Sequence, residues 1–171
     1  SGADHADLTA EYAAIPAEMK NVAAYFEKDV LRDVDEQEFY ARLADVRKAI
    51  GDRAVLRAMH FFDENRRVQM QVRALKNDNF AVFLNYVNES GNASWELLQN
   101  ITPLGATAHQ EMAFTLALCR KLLGGEGAVR VHGGGFAGTV LAFVPNEQFE
   151  QFKNAMDSAI GSGSTQKLHI Q

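Results

Sequence analysis

The chain has few of the residues that staple, anchor or charge a protein in one direction. Cys119 is its single cysteine among 171 residues, so no internal disulfide can form, and this usage points to a reducing compartment. No basic excess exists: the net charge is −5, which argues against a nucleic-acid partner or an anionic membrane surface. No run of about eighteen apolar residues occurs, so nothing reads as a membrane span, and no signal-peptide pattern opens the chain. His5, His60, His109, His132 and His169 show neither HExxH nor cysteine-paired spacing. Asp4-His5-x-Asp7 offers hard ligands, with helix capping the plainer use, so no metal site is expected. GxSxG and Walker A sequences are also missing. These absences predict a soluble, cytoplasmic protein.

What remains is ordinary globular composition, 47% hydrophobic and 23% charged. The length fits one domain, residues 1–171. The chain opens on Ser1-Gly2 without a methionine, which reads as an expression scar or as the start of a piece of a longer protein.

Apolar spacing predicts the elements. Asp7 or Thr9 caps a first helix with Tyr12, Ile15, Met19, Val22 and Phe26 inward, its regular part starting near Pro16 or its first turn kinked. Asp29–Val34 reads as a connector or edge strand. A helix follows from Asp35 to Gly51. The longest helix, about 53–77, shows a stripe of Phe61, Asn65, Val68, Val72 and Leu75, with Asp63 and Arg67 as an ion pair. Its arginines, Arg53, Arg57, Arg66, Arg67 and Arg73, read as a solvated face. A helix with Phe80, Phe83, Leu84 and Val87 precedes an Asn88–Asn92 polar turn. Thr107-x-x-Gln110 reads as a capping box for a helix burying Met112, Leu116, Cys119 and Leu123. Cys119 there reads as an inert core thiol. Two strands, a helix from Pro145 and a last strand Gln166–Ile170 complete the chain. This predicts an α+β fold, a small antiparallel sheet with a split β-α-β, ferredoxin-like core and additional helices.

The stretch that organises the rest is Ala128–Val144, where a β-branched run enters Gly133-Gly134-Gly135-Phe136-Ala137-Gly138 and a second apolar run leaves. A hairpin is the simpler reading. Four glycines exceed what a hairpin needs, and backbone N–H groups turned into one concavity suit an anion such as phosphate. His132 beside them reads as half-buried, or as a phosphate partner.

The glycine stretch resembles the third motif of the GHMP small-molecule kinases, and within them the C-terminal half of galactokinases. Glu11-Tyr12, Leu31-Arg32-Asp33-Val34, Arg57-Ala-x-His60 with Glu64-Asn65-x-Arg67-Val68, and Asn88-Glu89-Ser90 match that family in order. Ile15-Pro16 and Ile101–Ala106 depart from it. The resemblance implies a GHMP kinase C-terminal-like domain of an enzyme that phosphorylates galactose with ATP and magnesium. It implies that Gly133, Gly134, Gly135, Phe136, Ala137 and Gly138 lie near the nucleotide phosphates, and that Tyr12 contacts the sugar. The catalytic aspartate and the phosphate-cradling second motif are implied to lie in an N-terminal half outside this sequence, so the chain alone is expected to be inactive. A non-catalytic sugar- and nucleotide-binding regulator and a free-standing ferredoxin-like binding module are the other readings. A half-protein should also expose apolar surface around Tyr12 and the loop and form a homodimer.

Overall fold

A computed structural model of the chain describes residues 8–168. Its order is α1 (Thr9–Tyr25), α2 (Glu36–Ala41), α3 (Leu43–Ile50), α4 (Asp52–Lys76), α5 (Phe80–Ala93), α6 (Glu111–Leu123), β1 (Ala128–His132), β2 (Thr139–Phe143) and α7 (Phe149–Ile160). The expected α+β class is observed, with one antiparallel pair in which Ala128 faces Phe143 and His132 faces Thr139. Among the described residues no helix is long and apolar enough to cross a membrane.

Two clusters make the core. One joins α1 to the first half of α4 through Val22, Phe26, Phe39, Val46, Val55, Ala58 and Phe62. The other packs α6, β1 and α7 through Met112, Leu116, Cys119, Val129, Val131, Phe152 and Met156. The α6 stripe is therefore as expected, because its large apolar residues recur at helical spacing on one face.

Several expectations are corrected. Asp7 lies outside the described residues, and Thr9 is already helical, with Leu8 at the N-cap making no side-chain cap bond. α1 runs through Pro16, although proline removes the N–H that would meet the Tyr12 carbonyl in a regular helix. Leu31–Asp33 is a 3-10 turn, not an edge strand. Arg42 splits the expected Asp35–Gly51 helix into α2 and α3. The Thr107-x-x-Gln110 box does not form; α6 starts at Glu111, and Gln110 donates to the Ala106 carbonyl instead. Residues 166–168 are not a strand, and the rest of that expected strand lies outside the described residues. Asp157 meets that tail instead, accepting from Ser164 Oγ and Thr165 N–H, each at 3.0 Å.

The stripe expected on α4 faces outward beyond Phe61, which packs partly buried against the first cluster. Val68, Val72 and Leu75 are 46–48% exposed, while the inward face begins with Ala54, Val55, Ala58 and Phe62. Asn65 is exposed on that outer side. Arg67 pairs with Glu64 and Arg66 with Asp63, so the expected Asp63–Arg67 pair is replaced by two i,i+3 contacts.

Asn88–Asn92 is helical, the last part of α5. Its turn-forming residues serve packing against β1. A Cβ on Gly91 would lie 2.7 Å from the Val129 carbonyl oxygen, so only glycine lets the helix backbone come this close. Asn88 completes the contact like a missing strand partner, accepting from Val129 N–H at 3.0 Å and donating to the Gly127 carbonyl at 3.2 Å.

Candidate functional site

The loop between β1 and β2 is residues 133–138, and α1 reaches it from the other end of the sequence. Tyr12 Oη donates to the Gly135 carbonyl at 2.8 Å and lies 3.4 Å from that of Ala137. Its ring meets Phe136 edge to face, with centroids 5.4 Å apart. The resemblance-implied sugar and phosphate residues are thus in direct contact. Glu11, the neighbour of Tyr12, accepts from Leu104 N–H at 2.9 Å. One turn of α1 therefore holds two loops.

The excess of glycine has an intramolecular cause at two positions. A Cβ on Gly134 would lie 2.8 Å from the Tyr12 ring, and one on Gly135 would lie 2.0 Å from the Asn100 carbonyl oxygen. Gly133 is different: it is exposed, has φ +81, and its absent side chain would point into open space. The N–H groups of Gly133 and Gly134 meet no protein acceptor among the described residues. Exposed, unspent amides on a tight loop are the donors an anion requires.

Phe136 and Ala137 are buried and line the back of the loop. Less apolar surface is open around Tyr12 than expected, since Phe136 is enclosed and Tyr12 is half-buried against it, although Leu104 beside Glu11 is exposed. Other exposed apolar side chains include Val68, Val72, Leu75 and Phe80. His132 is exposed at the strand end rather than half-buried.

Behind the loop stands a layer that sequence reasoning missed. Asn100 is buried; its Nδ2 donates to the Gly134 carbonyl at 3.1 Å, and its own carbonyl accepts from Phe136 N–H at 2.5 Å. Arg57, expected on a solvated face, has no exposed surface. Its Nε donates to the Leu98 carbonyl at 3.0 Å and its Nη1 to Glu18 at 2.8 Å. Glu18 also takes Arg53, so a buried guanidinium is compensated by a carboxylate of α1, as a buried charge must be. Burial presses the Arg57 pKa below its usual value against the pull of Glu18. The signal for Arg57 was its place in the motif; Asn100 gave none.

The remaining signature residues knit α4 to α5 and β1. Ser90 Oγ donates to Glu64 at 2.5 Å, Arg130 Nη1 lies 3.4 Å from the same carboxylate, and Arg67 pairs with it. Burial pushes the Glu64 pKa up, but Ser90, Arg67 and Arg130 outweigh it and hold the carboxyl below its ordinary value. His60 is buried beside them with Nδ1 unpartnered, and burial lowers its pKa. Among the described residues no group of three His, Cys, Asp or Glu side chains is placed to hold a metal; Asp4, His5 and Asp7 lie outside them.

The α+β fold is similar to part of a solved galactokinase. The solved galactokinase of Lactococcus lactis, crystallised with galactose, superposes with a TM-score of 0.67 over 92% of this chain and 38% of its own, at 23% identity. The galactokinase of Glaesserella parasuis serovar 5 is 29% identical over 153 residues, 90% of this chain and 38% of that protein. The galactokinases of Haemophilus influenzae (strain PittGG) and Actinobacillus pleuropneumoniae are 27% and 29% identical over similar spans. No family model matches the chain. The chain is similar to galactokinases and spans about 38% of the length of these curated relatives.

Proposed function

We propose that this chain is the C-terminal part of a galactokinase-like sugar kinase that transfers the γ-phosphoryl group of ATP to galactose, giving galactose 1-phosphate. The observation that carries this reading is the contact between Tyr12 and the Gly133–Gly138 loop, 2.8 Å from Oη to the Gly135 carbonyl across 123 residues of sequence. It joins the position implied for the sugar to the position implied for the nucleotide phosphates.

Phosphoryl transfer asks little covalent chemistry of a protein and much positioning and charge stabilisation. In this reading the N–H groups of Gly133 and Gly134 orient phosphate oxygens. Tyr12 sets one wall of the sugar position, its orientation fixed by Phe136 and the Gly135 carbonyl. ATP supplies the activated phosphoryl group. In this reading the magnesium ligands and the catalytic aspartate belong to a segment outside this chain. The chain alone is then inactive.

The test is an assay of galactose-dependent ADP release, run on this chain and on its native-length polypeptide. Galactose 1-phosphate from the longer polypeptide only is the expected result. Turnover by the chain alone, or none by a folded native-length polypeptide given galactose, ATP and magnesium, would overturn the proposal.

A further inference from the structure

Asn100, which no expectation singled out, holds the glycine loop through two hydrogen bonds. It is 2% exposed, and it follows Gln99, a left-handed residue with φ 56 whose N–H is held by the Ser94 carbonyl at 2.9 Å. Its side chain and main chain grip the two peptide groups on either side of Gly135. Nδ2 takes the Gly134 carbonyl at 3.1 Å, and the Asn100 carbonyl takes the Phe136 N–H at 2.5 Å.

A trans peptide points its C=O and its N–H in opposite directions, and no cis peptide occurs among the described residues. With the Gly134 carbonyl turned in toward Asn100, the Gly135 N–H must point away from it. With the Phe136 N–H turned in, the Gly135 carbonyl must also point away, and Tyr12 Oη meets it there at 2.8 Å.

We propose that Asn100 is a positioning residue that fixes the Gly134–Gly135 peptide with its carbonyl turned in, so that this carbonyl does not face the nucleotide phosphates. Glycine peptides reorient easily, and a reversed peptide would present a carbonyl to an anion. Donors fixed in advance avoid the cost of ordering the loop on binding. The phosphate part of this inference rests on the kinase reading; the fixing of the peptide does not.

The experiment uses the native-length polypeptide, its Asn100→Ala variant and the isosteric Asn100→Asp variant, which removes the donor while ionised. Amide hydrogen exchange of residues 133–138 without ligand reads the peptide. Calorimetric titration with ATP·Mg, and separately with galactose, reads binding. Asn100→Ala is expected to speed loop exchange about tenfold and weaken ATP·Mg about tenfold, the effect of one lost buried hydrogen bond, with galactose affinity within about twofold. Asn100→Asp is expected to lose loop protection at high pH and regain it as the pH falls and the carboxyl becomes a donor again, whereas the parent shows no such recovery. That recovery separates positioning from general loss of packing, and the Asp variant carries the test if the Ala variant does not fold. Unchanged loop exchange in folded variants overturns the proposal, as does a loosened loop with undiminished ATP·Mg affinity. A parent that binds no ATP·Mg sinks the kinase reading, while the exchange data still decide whether Asn100 fixes the peptide.

Discussion

Gly134 has no room for a methyl group, because the Tyr12 ring occupies the space 2.8 Å from where its Cβ would stand. Gly134→Ala should therefore displace Tyr12 and cost about 1–3 kcal/mol, as overpacking does. Urea denaturation of the parent, Gly134→Ala, Tyr12→Ala and the double variant checks this. The Gly134→Ala cost should shrink once Tyr12 is gone, since contacting residues are not additive.

Tyr12→Phe keeps the edge-to-face contact with Phe136 and removes the donor to the Gly135 carbonyl. A loss of about 0.5–1.5 kcal/mol is expected, measured by the same denaturation. A larger loss than that of Tyr12→Ala would contradict the geometry.

Arg57→Met should be among the most damaging single changes, about 3 kcal/mol, because it strands the Leu98 carbonyl and leaves Glu18 with Arg53 alone. Arg57→Lys should be milder, keeping the charge but losing the two-sided grip. Thermal unfolding ranks the three proteins.

His60 gives the fold a pH dependence on the acid side. Its pKa is lowered by burial, helped by Arg67 and Arg130 and opposed by Glu64 and the Ala93 carbonyl. Between the lowered value and the ordinary value near 6.5, the unfolded chain binds more protons than the folded one. Stability is thus fully present above about 6.5 and falls as the pH drops through that window. Glu64, whose pKa is also lowered, adds a further loss on descending through the carboxylate range. Unfolding midpoints from pH 8 to 5 should fall for the parent and fall less for His60→Leu.

Cys119 should be unreactive in the folded chain. Burial pushes its thiol up to about 11, and its Sγ lies 3.8 Å from Met156 Sδ in the core, so thiolate is scarce and inaccessible. Thiol labelling at pH 8 should proceed only on denaturation.

Legibility in the sequence followed the size and regularity of the apolar residues. Met112, Leu116, Cys119 and Leu123 are large and evenly spaced, and they face the core. In α4 the conspicuous residues misled, because burial there falls largely on alanines and on Arg57 while Val68, Val72 and Leu75 stay outside. Asn88–Asn92 has the composition of a turn, yet the close approach of Gly91 to β1 holds it in a helix. The loop and Tyr12 were legible as separate motifs. Asn100 was not, since an asparagine between Gln99 and Ile101 carries no periodicity and half of its grip is a carbonyl that every residue possesses.

The contacts of Tyr12 and Glu18 on α1 close a circuit. From Tyr12 it runs through Gly135 to Asn100, back along the chain to Leu98, across Arg57 to Glu18, and home along α1. Such a loop of links has almost no independent freedom: α1 cannot tilt, nor the Leu98–Asn100 segment shift, without the others following. A push at any member is felt as a change of tension around the whole, so a substitution at Glu18, two turns from Tyr12, should be readable in the mobility of Gly135.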